Sequence, residues 1–190
     1  LIISSVEKGI PSFTAGKAGD AYAGKTLADV ELPTSTAGKY MWADGTQQVG
    51  KAGTSETYDA YFVPDDTANY DWSKIDTAEG TYEELEDGSM RIAVKLSVYV
   101  RKQDPVFTVP ENVTATYGDT VGKILLPETA GGMFIWENAD ESVGEVGTKT
   151  FLATFVPEDE DVYERAEHVE ITVQILPANA VSVSYTHLTL

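Results

Sequence analysis

One pattern is written twice in this chain. "GKTLADVELPTSTAGKYMWADGTQQVGKAGT" (residues 24–54) lies over "GDTVGKILLPETAGGMFIWENADESVGEVGT" (residues 118–148) at a constant shift of 94. Gly24, Thr26, Leu32, Pro33, Gly38, Trp42, Val49, Gly50, Gly53 and Thr54 all meet identical partners, and Pro11 and Phe13 match Pro105 and Phe107. One residue then drops out, and "YDAYFVPDDTANY" overlays "FLATFVPEDEDVY" at a shift of 93. A repeat of this length must place equivalent residues in equivalent environments, so whatever folds the first copy also folds the second. The repeat predicts two tandem domains, residues 1–103 and 104–177, joined at "VRKQDP", with residues 178–190 as a tail.

The local pattern within each copy is that of strands. "KYMW" and "MFIW" alternate with period two, which places Tyr40 with Trp42, and Phe134 with Trp136, on one face. Tyr58, Ala60 and Phe62 alternate in the same way, as do Phe151, Ala153 and Phe155. Each copy closes on a further alternating run, "RIAVKLSVYV" or "HVEITVQIL". The segments with Leu27, Val30 and Leu32, and with Val121, Ile124 and Leu126, also read as strands, and no helical period competes. "VGKAGT" and "VGEVGT" are turns whose glycines supply positive φ. Short strands with frequent turn signals predict an all-β fold: two β-sandwich domains of the immunoglobulin-like kind. The first copy carries about twenty extra residues, roughly 71–90, in which Asp87-Gly88 signals a hairpin added at one edge.

The repeat also disposes of a tempting motif. "LPETAGG" (residues 126–132) spells most of a sortase signal, but "LPTSTAGK" is its counterpart in the first copy, and no apolar span with a basic tail follows it. It is a loop of the repeat.

Several residues have both a functional and a structural reading. Trp42 and Trp136 could stack on sugars, but their recurrence in both copies assigns them to the core. Trp72 occurs once, in the insert, close to Tyr70 and Tyr82; Trp72 and Tyr82 are the candidate ligand-binding aromatics, and the favoured structural reading is packing of the insert onto its own domain. In "PDDTANY" and "PEDEDVY", Asp65, Asp66, Glu158, Asp159 and Asp161 are oxygen donors of the type Ca²⁺ takes, with Glu158, Asp159 and Asp161 the denser set. Neither run follows a calcium-loop spacing, and the structural reading is a corner: Asp caps the turn, while the hydroxyl of Tyr70 or Tyr163 bonds back to the backbone. Of the two histidines, His168 falls on the solvent side of a strand and His187 in the tail, so no catalytic triad is assembled. No phosphate loop or matched carboxylate pair stands out, and no cofactor is called for.

Charge narrows the partners. Thirty-one acidic against thirteen basic side chains leave a net charge of -18, which disfavours nucleic acid and anionic membranes. No apolar run reaches the roughly 20 residues of a membrane span. With no cysteine, neither a disulfide scaffold nor a thiolate metal site is open to the chain. Starting at Leu1 with neither a signal peptide nor an initiator Met, the chain reads as a fragment.

Taken together, "YGDTVGKILLP", "FIW", "VGEVGTKTFLATFVPEDEDVY" and "VEITVQI" resemble the bacterial Ig-like repeats, including those called MBG-type, of Gram-positive surface proteins. The resemblance covers nearly all of residues 105–176 and the first copy more loosely, since Ala23 stands where Tyr117 would be. It implies a non-catalytic spacer or stalk in an exported, wall-attached protein, monomeric and flanked by neighbouring repeats. The alternative is an adhesin module whose insert takes a host glycan or protein. "SYTHLTL" at residues 184–190 resembles sequencing-adapter read-through, which leaves His187 without weight.

Overall fold

Buried and exposed side chains alternate along the closing run of each repeat, and each run becomes the longest or joint-longest strand of its sheet. Ile92, Val94, Leu96, Val98 and Val100 are buried, while Lys95, Ser97, Tyr99 and Arg101 face outward. A computed structural model describes Ile2 and residues 4–179. The tail from residue 180, His187 included, lies outside the described residues.

The chain divides into two compact units, Leu1–Gln103 and Asp104–Leu190. Unit 1 contains β1 (Ala21–Tyr22), β2 (Gly38–Trp42), β3 (Ser55–Pro64), β4 (Thr81–Glu84) and β5 (Met90–Arg101). Unit 2 contains β6 (Val113–Thr116), β7 (Gly132–Trp136), β8 (Gly147–Pro157) and β9 (Ala166–Leu176). Each unit forms one sheet: β1-β5-β3-β2 in the first, with β4 also on β5, and β6-β9-β8-β7 in the second. The first strand of each sheet runs parallel to the last, and the other pairings are antiparallel. The register repeats as well: Trp42 faces Ala60, and Trp136 faces Ala153.

The fold is all-β, with no α-helix among the described residues. The facing second sheet of a sandwich is not formed among them either. Irregular chain covers the inner face of each sheet instead. In unit 2, Val121, Ile124 and Val143 pack with Phe151, Ala153, Ile171, Val173 and Ile175. Two segments read from sequence as strands are in fact 3-10 turns, Leu27–Asp29 and Val121–Lys123. Their apolar residues sit three apart, Leu27 with Val30 and Val121 with Ile124, which is the 3-10 period. All four are buried.

The insert is a hairpin as expected. β4 pairs with the start of β5, from Thr81 opposite Ala93 to Glu84 opposite Met90. Leu85 N–H donates to Ser89 O at 2.8 Å, and Gly88 takes φ +84 in the turn. Ahead of β4, a 3-10 turn over Trp72–Lys74 is capped by Asp71, whose carboxylate accepts from Ser73 N–H at 3.2 Å.

One repeated glycine is explained by packing. A Cβ on Gly132 would lie 2.3 Å from Val156 O and 2.6 Å from Phe155 Cζ; on Gly38 it would lie 2.3 Å from Val63 O and 2.7 Å from Phe62 Cζ. The edge strand therefore presses directly on its neighbour. Gly132→Ala is expected to destabilise unit 2 by about 1 to 3 kcal/mol through overpacking. Urea unfolding checks this, and an unchanged midpoint would refute the close approach.

Candidate functional site

Of the residues singled out from the sequence, Asp65, Asp66, Tyr70, Trp72 and Tyr82 fall at the corner after β3 and in the insert that follows it. Asp66 organises this corner. Its carboxylate accepts from Asn69 N–H at 2.9 Å and from Asn69 Nδ2 at 3.0 Å, and its carbonyl accepts from Trp72 Nε1 at 2.8 Å. The two bonds from Asn69, that of its side chain foremost, hold the Asp66 carboxyl below its ordinary range. The chain before the first sheet joins here: Gly9 N–H donates to Asn69 O and Asp71 N–H to Gly9 O.

Trp72, read as a ligand-stacking candidate, is buried at 5% exposure. Its ring centroid lies 6.0 Å from that of Phe13 and 5.7 Å from that of Phe62, inside an aromatic cluster that Tyr40 joins through Phe62 at 4.9 Å. Of the two sequence readings of Trp72, this placement fits packing of the insert onto its own domain. A tryptophan unique to one copy is there because only that copy has an insert to pin down. Tyr82 is half-buried on β4, and Tyr70 is 43% exposed. Tyr70, Tyr82, Lys8, Asp71 and Ser89 line an open cavity of about 350 Å³, with an edge of Trp72 among its walls. Here the insert presents aromatic and hydrogen-bonding groups together.

The structural tryptophans differ from expectation in degree. Trp42 and Trp136 are half-buried and rim the core. Each spends its indole N–H on a backbone carbonyl of the covering segment, Trp42 on Val30 O at 3.3 Å and Trp136 on Ile124 O at 3.2 Å. These bonds tie the irregular layer to the sheet.

The corner itself is half as expected. Asp159 does cap its turn: its carboxylate accepts from Asp161 N–H at 3.1 Å, and its carbonyl accepts from Tyr163 N–H at 3.0 Å. The tyrosine hydroxyls take no part. No hydrogen bond of Tyr70 Oη or Tyr163 Oη occurs among the described residues, while the aspartates bond their own turn amides. Tyr163→Phe is therefore expected to change stability by less than about 0.5 kcal/mol. A loss of more than about 1 kcal/mol in a denaturant titration would restore the tyrosine corner.

The calcium candidates do not converge. Among the described residues no three Asp, Glu or His side chains come together to hold a metal ion. Asp159 is turned onto its own loop, and Glu160 pairs with Arg165. Like charges on one short loop spread into solvent unless a ligand cage gathers them.

Two groupings escaped sequence reading. Tyr58, buried at 5% exposure, accepts from Gly50 N–H at 2.8 Å and donates to Glu56 Oε2 at 3.0 Å. Burial is the main cause of its raised pKa. His168 takes φ +58 at a bulge in the pairing of β8 with β9, where the register slips between Ala153 and Phe155. Its backbone N–H and ring Nδ1 both meet Glu137, at 2.7 and 3.0 Å. The ring is exposed, as expected, and the His168 N–H is the leading cause of the lowered Glu137 pKa. The His168–Glu137 pair joins residues 31 apart in the chain, which no local pattern reveals.

Compared with known proteins, the chain matches no family model, no curated protein and no solved structure.

Proposed function

We propose that this chain is a non-catalytic pair of spacer modules, related to bacterial Ig-like repeats, in an exported protein of the bacterial cell surface. The observation that carries the reading is what the two copies share. Gly38 and Gly132, Trp42 and Trp136, and Phe62 and Phe155 recur because they build a sheet and its cover. The acidic surface suits a module exposed to solvent beside copies of itself, because like charges oppose aggregation. No helix of the described residues is long and apolar enough to cross a membrane.

A display experiment tests the reading. The two units are placed between a cell-wall anchor and a small tag, and tag access to an antibody is measured. Deleting the units should reduce access, and an unrelated two-domain spacer of similar size should restore it. Failure of the unrelated spacer would show that the units bind something themselves.

The insert supports a second reading, an adhesin module. The observation favouring it is the cavity where Tyr70 and Tyr82 meet Lys8, Asp71 and Ser89. Aromatic faces beside hydrogen-bonding groups suit a glycan. Under this reading, a glycan-array signal would disappear in Tyr82→Ala while the protein stayed folded.

A further inference from the structure

We propose that β7 of unit 2 is a strand-acceptor edge, which takes up an extended apolar segment flanked by lysine or arginine from a partner protein as a further strand of the sheet.

β7 stands at the end of the order β6-β9-β8-β7, so one of its sides has no strand beside it. Its backbone groups alternate between the two sides. Gly131 O accepts from Glu158 N–H at 2.9 Å, and Glu137 N–H donates to Leu152 O at 3.1 Å, so the odd-numbered residues face β8. Phe134 and Trp136 therefore turn their N–H and C=O groups outward. No backbone bond reaches those groups among the described residues; Gly132 alone is bridged, to Thr129. Such a row is a template for a further strand.

The side chains next to this edge are apolar and bare. Met133 is 59% and Ile135 50% exposed, with Leu152 and Val156 beside them on the same outer face. Unit 1 offers the control within the same chain. There Lys39 stands at the position of Met133, and a lysine on an edge strand blocks pairing through its charge and hydration. The edge is thus guarded in one copy and left open in the other.

Charge selects the occupant. From Asp104 onward there are fifteen carboxylates against Lys123, Lys149 and Arg165, a net of -12. A second copy of unit 2 would bring the same charge and be repelled, whereas a strand with basic flanks is attracted. A largely apolar groove of about 440 Å³ runs beside the approach to β7, lined by Val106, Val109, Pro127 and Thr129 and carrying Glu111 and Glu128. It gives a basic flank carboxylates to meet.

Fluorescence anisotropy with the whole chain tests the proposal. The probe is a labelled octapeptide, KTVTVTVK, blocked at both ends, with ETVTVTVE as its control. The lysine peptide should bind saturably, one per chain, and about tenfold or more tighter than the glutamate peptide. Met133→Lys should weaken binding about tenfold. The site is on the surface, and circular dichroism confirms that the variant folds. N-methylation of every second peptide amide should abolish binding in one register and spare it in the other, because only one set of amides faces β7. The proposal falls if both peptides bind equally, or if neither binds. Insensitivity to N-methylation would also overturn it, as would self-association of the chain that Met133→Lys reverses.

Discussion

Trp72→Ala will destabilise unit 1 by about 3 to 5 kcal/mol, the range for removing a large aromatic from a packed interior. The indole is enclosed against Phe13 and Phe62, and its N–H satisfies Asp66 O at the corner. Alanine would open a cavity and also leave that carbonyl without its donor. Trp72→Phe separates the two contributions: it keeps most of the ring volume and loses the hydrogen bond, so its cost should be clearly smaller. Thermal or urea unfolding reads both. A Trp72→Ala protein with unchanged stability would return Trp72 to the role of a ligand-stacking residue, and the cavity beside Tyr82 would then become the primary site.

Phe155→Ala will cost unit 2 a similar amount, about 3 to 5 kcal/mol, and leave the unfolding of unit 1 where it was. Phe155 is 1% exposed, stacks on Phe107 at 4.7 Å and meets Phe134 at 5.2 Å. Each such aromatic pair adds roughly 0.5 to 1.5 kcal/mol beyond area burial. Phe62 occupies the same place in unit 1, against Phe13 and Tyr40, each at 4.9 Å. Each unit has its own apolar interior, so Phe62→Ala should lower only the other transition. Calorimetry of the two variants distinguishes the cases. A single transition that moves equally in both would mean that the units unfold as one body.

The two predictions weigh differently on function. Loss of unit 2 stability alone would leave the groove at Tyr70 and Tyr82 intact and remove the open edge at Met133. Loss of unit 1 stability would do the reverse. The variants thus separate the insert from the edge strand without touching either surface.

The strands were legible because alternation and turn chemistry are local. The period of two in β3, β5, β8 and β9 and the Asp87-Gly88 turn need no knowledge of the rest of the chain. The repeat added a second reading of every position, and with it the assignment of Trp42 and Trp136 to structure. Packing of Trp72 was the favoured reading of the sequence, but its partners were not legible, because they depend on Phe13, Phe62 and Asp66 closing around the insert. The segments at Leu27 and Val121 were misread for a related reason: two apolar residues three apart are too short a pattern to separate a 3-10 turn from a strand end.

Sequence alone was enough for an all-β chain with one plan used twice and an added hairpin, since each of those features rests on neighbours in the chain or on comparison of the two copies. The layer covering each sheet and the open side of β7 depend on contacts between residues far apart. The capping of the corners by Asp66 and Asp159 is local and was legible, whereas the idle tyrosine hydroxyls were not. Likewise, the lysine at position 39 and the methionine at 133 look like an ordinary substitution until both are placed on the last strand of a sheet. There the missing charge leaves an edge exposed.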